Sequence, residues 1–394
     1  MGFCESREKH IITPSFGAQI HISMICEETI LDSTPHSDVQ KYFTFKKVLG
    51  HGQFGTVREA VRVGQQPMRV AVKSVRKEII MQSLSLIKRE LMIIRRLDHP
   101  NIVKFYETYE DAKYLHMVME LCEGGDLFDH VISKDRLTES EVSQIMRKLI
   151  HGVNHMHGMN ICHRDLKPEN FLYSSPAPDA DIKIVDFGMS TRFGNDENMT
   201  TIVGTPYYLA PEVIQGLYSK ECDVWSLGVV MFFLLSGEQP FVSENLSDLY
   251  FRISNARFEF TGEVWSGISG QAKDLVSLML VPEPGRRIRL AVALKHPWFS
   301  DQLLPRKEVS EDVLRSLRRY KAPQKLQKEI IHLIVKYMTS DDISELRVKF
   351  IPERLFSHGQ RENGVYHSCR PGRNDDECRV EHFQWGNKAN NGRN

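Results

Sequence analysis

Residues 50–57 read GHGQFGTV, a G-x-G-x-x-G frame shared by two unrelated kinds of nucleotide site. In a dinucleotide-binding fold the third glycine opens a helix within a βαβ unit; in the other kind the glycines turn a β-hairpin over phosphates. The flanks decide between them. FTFKKVLG runs up to Gly50 and TVREAV follows Gly55, a strand, a turn and a strand, with Gly52 in the turn. Val57 to Val61 carries β-formers at period two, and a further strand, RVAVK, arrives at 69–73. No helix follows the third glycine, so the nicotinamide reading loses the context it needs. An ordinary hairpin and a phosphate-covering one both remain.

The next strand adds a charge to be explained. Side chains alternate along 70–73, so Ala71 and Lys73 share one face and Val70 and Val72 the other. A lysine facing inward beside a small alanine needs an anion. In LSLIKRELMIIRRL, 84–97, Leu84, Ile87, Leu91, Ile94 and Leu97 form one helical stripe, and Glu90 falls within it. A carboxylate on the packed side of a helix is costly unless paired, and Lys73 is its natural partner. The alternative is a Glu90 that sits at the edge of the stripe and reaches solvent.

The bulk properties set the frame. The chain has 394 residues, 41% hydrophobic and 26% charged, as soluble globular proteins do, and its length allows more than one lobe. Lys+Arg and Asp+Glu both total 51, so no net charge points to nucleic acid. Seven cysteines include no C-x-x-C pair and no metal-ligand spacing with histidine, and reduced, buried thiols are expected. The N-terminus lacks a secretory pattern. The most apolar run, VWSLGVVMFFLL at 224–235, is too short to span a bilayer and reads as a buried helix, so a cytoplasmic chain is expected.

Residues 1–42 are polar and irregular, an arm rather than a domain. From there to about Met119 the β-type runs surround one helix; after Gly125 the pattern turns helical, at 139–157, 220–236 and 269–280. The expectation is an α+β chain, a small antiparallel β lobe followed by a larger helical lobe, with a helical basic stretch at 305–350. Residues 351–394 have no clear period and are expected to be weakly ordered.

HRDLKPEN at 163–170, DFG at 186–188 and APE at 210–212 now follow in order. Together with the glycine loop and VAVK, these motifs resemble the protein kinase family over about residues 43–299. The resemblance implies a bilobal fold, with an N-lobe at 43–120 and a C-lobe at 121–299, and ATP and Mg²⁺ as cofactors. It implies that Leu49, Gly50, Gly52, Gly55, Val57, Ala71, Lys73, Glu120 and Cys122 bind ATP. Lys73 would hold the α- and β-phosphates and Glu90 would hold Lys73. Asp186 would bind Mg²⁺ and Asn170 a second ion. Asp165 would accept the substrate hydroxyl proton and Lys167 neutralise the transferring phosphate. A kinase-shaped scaffold without activity would lack at least one of Lys73, Asp165 and Asp186, and all three are present.

Lys167 and the run GTPYYLAPE resemble serine/threonine rather than tyrosine kinases. Arg164 is placed to pair with a phosphate in the activation segment 186–212, where Thr200, Thr201 and Thr205 are candidates; Asp196 and Glu197 are the alternative, a permanent charge. By resemblance to basophilic kinases, Asp126 and Glu169 would attract an arginine N-terminal to the target Ser/Thr. The plainer reading makes them solvated surface acids. Gly204 and Asp223 look structural, and Glu212 with Arg287 is the expected buried ion pair of the large lobe.

The ends carry two further expectations. MGFCES fits the myristoylation pattern at Gly2, with Cys4 placed for palmitoylation. One myristoyl chain binds membranes only marginally, with an association constant on the order of 10⁴ M⁻¹, so the second acyl group is needed for stable association. A chance match in an ordinary N-terminus is the alternative. At 311–350, Val313, Leu314, Leu317 and Tyr320 make one apolar stripe and, beyond Pro323, Leu326, Ile330, Ile334 and Tyr337 another, with Lys and Arg between. Basic amphipathic helices of this kind are calmodulin-type targets, here 311–338, or intramolecular inhibitors; a plain helical extension is the third reading. The stretch 300–350 resembles the autoinhibitory junction of calcium-dependent protein kinases, which continue into EF-hands. The nearest EF-hand frame in 351–394, with Gly364 at position 6, puts Gly359 at 1, Arg361 at 3 and Arg370 at 12, so direct calcium binding there is not expected.

Overall fold

The structure, a computed structural model, describes residues 38–321 apart from 52–54, 65, 83, 135–136, 194–198, 202, 244 and 301–310. Gly2, Cys4, Gly52, Asp196, Glu197, the calmodulin-target stretch beyond 321 and the tail 351–394 lie outside the described residues. None of the described helices is long and apolar enough to cross a membrane.

Five antiparallel strands open the fold: β1 (Phe43–His51), β2 (Gly55–Arg62), β3 (Arg69–Arg76), then, after helices α1 (Lys77–Gln82) and α2 (Leu84–Ile94), β4 (Phe105–Glu110) and β5 (Tyr114–Glu120), in the order β1-β2-β3-β5-β4. Alternation along β3 sends its side chains to two separate cores. Val70 and Val72 pack with Val39, Phe43, Ala60, Tyr109 and Val118; Val75 packs with Ile80, Ile87, Leu91, Leu115 and Met117 under α2. Lys73 therefore points to the α2 side. The hairpin β1–β2 lies tight against β3: a Cβ on Gly55 would sit 2.2 Å from the Ser74 carbonyl oxygen, so only glycine fits. On α2, Ile87, Leu91 and Ile94 are buried as their spacing predicts, and Leu97 is buried just past the helix end.

The larger lobe is built round two helices. Before them comes the short α3 (Leu127–Ile132), capped by Asp126, whose Oδ1 accepts the Asp129 N–H at 2.9 Å. Next, α4 (Glu139–Gly158) begins with a reciprocal capping box between Thr138 and Glu141. The segment after it runs through β6 (Ile161–Cys162), β7 (Phe171–Tyr173), β8 (Ile182–Ile184) and β9 (Thr191–Arg192), paired β6–β9 and β7–β8. After α5 (Pro211–Gln215), α6 (Glu221–Ser236) holds the apolar run 224–235 and is buried on every side, the expected fate of a helix with no polar face. The shorter α7 (Leu246–Ser254), α8 (Glu263–Ser266), α9 (Gly270–Met279) and α10 (Leu290–Ala293) surround it. Arg287 donates to both oxygens of Glu212, at 2.6 and 2.9 Å, the ion pair expected from sequence.

A helix at 311–321 docks on this lobe. Val313, Leu314 and Leu317 are buried in the same core as α4 and α6, and the Tyr320 ring stands edge-on to Phe128 and Phe233 at 5.7 and 4.8 Å. Burying each leucine contributes about 2 kcal/mol. The contact is close at Gly237, the left-handed C-cap of α6 with φ of 73°: a Cβ there would lie 2.9 Å from the Val313 carbonyl oxygen. Arg318 donates to the carbonyls of Ile132 and Lys134 at the far end of α3.

Candidate active site

Between the sheet and the larger lobe lies a cavity of about 490 Å³. Leu49, Gly50, Val57, Ala71, Lys73, Glu120 and Cys122, all singled out from sequence, line it; so do Met119, Val103, Leu172 and Val185, which were not. Met119 sits opposite Ala71 across the β3–β5 pairing, one residue before Glu120. Its place was implicit in the strand register, but strand pairing is a tertiary fact. Burial and the neighbouring Glu120 carboxylate push the Cys122 thiol up to about 12, so it stays protonated.

At the cavity's inner end Lys73 Nζ is 2.6 Å from Glu90 Oε1 and 3.8 Å from Asp186 Oδ1. Burial works against the Lys73 charge, and the two carboxylates outweigh it, holding its pKa above the usual lysine range. The pair is fully formed, with both side chains under a tenth exposed, and the edge-of-stripe alternative for Glu90 does not apply. Glu90 Oε2 is buried with no partner among the described residues.

Next to Asn170, which lines the same cavity, Asp165, Lys167 and Thr205 form a cluster. Asp165 Oδ2 is 2.8 Å from Lys167 Nζ, and Asp165 Oδ1 accepts the Thr205 hydroxyl at 2.9 Å. Lys167 donates to that same hydroxyl at 2.9 Å. Thr205 is thus engaged at both ends of its hydroxyl inside the site, unlike Thr200 and Thr201, which are exposed on the activation segment. Asn170 Nδ2 donates to the Asp165 carbonyl at 2.8 Å, and its Oδ1 has no hydrogen bond among the described residues. Asp186 presents its carboxylate to the cavity from a left-handed residue, φ 62°, a conformation uncommon for a side chain other than glycine's.

Asp223 fixes the loop from below. Its Oδ1 accepts the Arg164 N–H and its Oδ2 the His163 N–H, each at 2.9 Å, and His157 Nε2 donates to Oδ2 as well. Burial acts to raise the Asp223 pKa, and these donors outweigh it and hold the carboxyl below the usual range. Arg164 itself, with φ of 71°, donates to the Met189 carbonyl and to the Tyr218 hydroxyl, which in turn donates to the Thr201 carbonyl. Burial, with the Arg164 charge second, lowers the pKa of Arg89.

The two acids expected at the cleft differ in their surroundings. Glu169 lines the cavity, and its Oε2 is buried with no partner among the described residues. Asp126 is not a solvated surface acid: its side chain is 10% exposed, and Oδ2 is paired with Lys321 of helix 311–321, with Asp129 Oδ1 3.3 Å from the same nitrogen. Asp129 went unnoticed in the sequence because nothing there relates it to position 321.

The residues suit a magnesium nucleotide. Space above Gly50 is open to 4 Å, an inward lysine waits at the far end, and Asp186 and Asn170, which line the same cavity, offer the oxygen ligands that Mg²⁺ requires.

The protein kinase domain family matches residues 43–299. Calcium-dependent protein kinase 5 of Plasmodium falciparum (isolate 3D7) is 37% identical over 83% of this chain and 58% of its own length. Calcium-dependent protein kinase 21 of Arabidopsis thaliana is 38% identical over 87% of this chain and 64% of its own. Calcium-dependent protein kinase 24 of Oryza sativa subsp. japonica is 38% identical over 80% and 63%. The chain spans about three fifths of the length of these curated relatives.

Proposed function

The chain belongs to the protein kinase family, and from that premise we propose that it transfers the γ-phosphate of ATP to serine or threonine hydroxyls of protein substrates that carry basic residues nearby. The observation that carries this reading is the closed Lys73–Glu90 pair lining one cavity with Asp186 and Asn170, the last of which donates to Asp165 of the Asp165–Thr205–Lys167 cluster. Magnesium, when bound with ATP, would supply positive charge to neutralise the phosphates. Lys73, oriented by Glu90, binds phosphate oxygens; Asp186 and the Oδ1 of Asn170 would hold the metal. Asp165 orients the incoming hydroxyl and takes its proton at a carboxylate oxygen, and Lys167 balances charge developing on the phosphoryl oxygens. Thr205 keeps Asp165 and Lys167 in register.

Helix 311–321 restrains this activity in the proposed state. Its Lys321 occupies the acid that a substrate's basic residue would use, while the nucleotide side remains assembled. Inhibition is therefore competitive with protein substrate and not with ATP. Phosphate transfer from radiolabelled ATP to a basic serine peptide, abolished by Asp165→Asn, tests the enzyme. No transfer even from Leu317→Asp, which expels the helix, would favour a catalytically inactive kinase-like scaffold.

Calcium is the proposed upstream signal, in line with the names of the similar kinases. A calmodulin-type partner is the favoured route for this chain, because the face such a partner would clasp, Val313, Leu314 and Leu317, is the one buried against the lobe. Calcium-dependent retention on calmodulin resin, lost on deleting 311–338, tests it. Acylation at Gly2 and Cys4 is the proposed membrane tether of a cytoplasmic enzyme. Fractionation of Gly2→Ala and Cys4→Ser checks this, and variants that partition like the parent would remove the tether from the account.

A further inference from the structure

Beneath the catalytic loop two thiols meet a carboxylate. Cys162 ends β6, and Cys222 and Asp223 stand in the first turn of α6; all three are buried. The cysteines are 60 positions apart in the chain, so no sequence spacing announces them. The ligand atoms of the three residues lie within 4.8 Å of one another, and the two sulfurs are 3.5 Å apart. A disulfide would have to close that gap to about 2 Å. A tetrahedral zinc ion, roughly 2.3 Å from each sulfur, holds two thiolates about 3.8 Å apart, close to the spacing found here. Packing alone accounts for two thiols in contact. The carboxylate within reach of both adds a third donor of a kind that zinc takes.

Charge favours the same ion. Burial first, then the Cys222 hydrogen bond and the Asp223 charge, hold the Cys162 thiol well above its usual range. At Cys222 the Cys162 hydrogen bond acts downward and is outweighed by burial and Asp223. Both sulfurs therefore carry protons, and the charge of the cluster is that of the carboxylate alone. When Zn²⁺ enters and two protons leave, two thiolates and one carboxylate face two positive charges, and the buried total is unchanged.

We propose that Cys162, Cys222 and Asp223 form a binding site for a thiophilic divalent ion of the zinc class, separate from the magnesium of the nucleotide, and that its occupation slows turnover. Each thiol gives its proton to solvent and a sulfur lone pair to the ion, an exchange that needs no oxidant or reductant. Two sulfur ligands exclude Mg²⁺ and Ca²⁺, which take oxygen. A fourth position remains, with His157 Nε2 standing 2.9 Å from Asp223 Oδ2 beside it. Asp223 carries the effect on turnover. The N–H groups of Arg164 and His163 rest on its two oxygens, and an ion that draws on the carboxylate weakens that support next to Asp165. The site itself does not depend on phosphotransfer; only its effect on turnover rests on that reading.

The test titrates the full, reduced chain with Co²⁺, followed by visible absorption, next to a control carrying Cys162→Ala and Cys222→Ala. The control keeps the chain's other cysteines, so the difference between the two belongs to this pair. Incubation a few degrees below the unfolding midpoint lets local opening admit the ion. An equimolar amount of Co²⁺ should bring tetrahedral d–d bands and a thiolate charge-transfer band in the parent and neither in the control, and Zn²⁺ should erase them. Cys222→Ser, which keeps the shape and removes one sulfur, should weaken Co²⁺ binding at least about 10-fold and serves as the control if the double variant does not fold. With magnesium and ATP in constant excess, Zn²⁺ should lower kcat for a basic serine peptide at least about 10-fold more in the parent than in the control, the order for a slightly misplaced catalytic group. Matching spectra in parent and control, or no bands in the parent, overturns the site. Bands with kcat untouched by Zn²⁺ keep the site and overturn its effect on turnover. Bands in a chain that phosphorylates no peptide keep the site and remove the kinase reading instead.

Discussion

Lys321 and Asp126, 195 positions apart in the chain, meet in a buried ion pair. At the cavity the Lys73–Glu90 pair is intact, so docking of helix 311–321 leaves in place the lysine proposed to bind phosphate. Leu317→Asp should therefore raise kcat/KM for a basic peptide on the order of 10-fold, the effect of freeing a site occupied about nine tenths of the time, with the KM for ATP nearly unchanged. Initial-rate kinetics varying each substrate separately check this. A parallel change in the ATP constant would relocate the block. Gly237→Ala should act in the same direction, since its added carbon meets the Val313 backbone.

Removing Lys73 alone strands a buried carboxylate. Lys73→Met is expected to cut phosphate transfer by at least about 10²-fold and to destabilise the fold by about 3 kcal/mol, because Glu90 is left charged and unpaired. Lys73→Met with Glu90→Leu should be equally inactive yet recover much of the stability. Thermal unfolding of the three proteins tells whether the loss comes from the stranded charge.

The hydroxyl of Thr205 bridges Asp165 and Lys167, so its loss should be felt in kcat before KM. Thr205→Ala is expected to lower kcat about 10- to 100-fold, the range for misplacing a catalytic group, and Thr205→Ser to restore most of it. A phosphorylation-site role would instead separate serine from alanine only before treatment with a phosphatase, which would bring the two together.

Acid should loosen the catalytic loop through Asp223. Its folded pKa is depressed, so the stabilisation it provides is present above the unfolded value of about 4 and is lost as pH falls through the lower folded value. Unfolding free energy measured from neutral pH downward should fall in that window. Asp223→Asn should flatten this acid limb and cost about 3 kcal/mol at neutral pH, since the backbone N–H groups of His163 and Arg164 lose a charged acceptor.

Local pattern carried most of the fold. Alternation at 70–73 gave the face of Lys73, the 84–97 stripe gave the side of Glu90, and the apolar run 224–235 gave a helix buried all round. The residues that escaped are those whose role exists only across distance. Met119 lines the cavity because β5 pairs with β3. Thr205 read as one more activation-segment hydroxyl because nothing local ties it to Asp165. Asp126 was legible as a basic-residue receptor but not as a buried one, since its partner lies on a helix that follows the whole larger lobe.

The six residues of α3 depend on a distant segment for the completion of both ends: Lys321 sits on its capping acid and Arg318 on its last carbonyls. A helix this short has little intrinsic persistence. When 311–321 departs, α3 loses both end clasps together and its amide protons should exchange faster. The liberated enzyme would then greet its substrates with a softened rim, one that firms up as the incoming side chain takes the vacated place, so that turnover and local ordering become a single event.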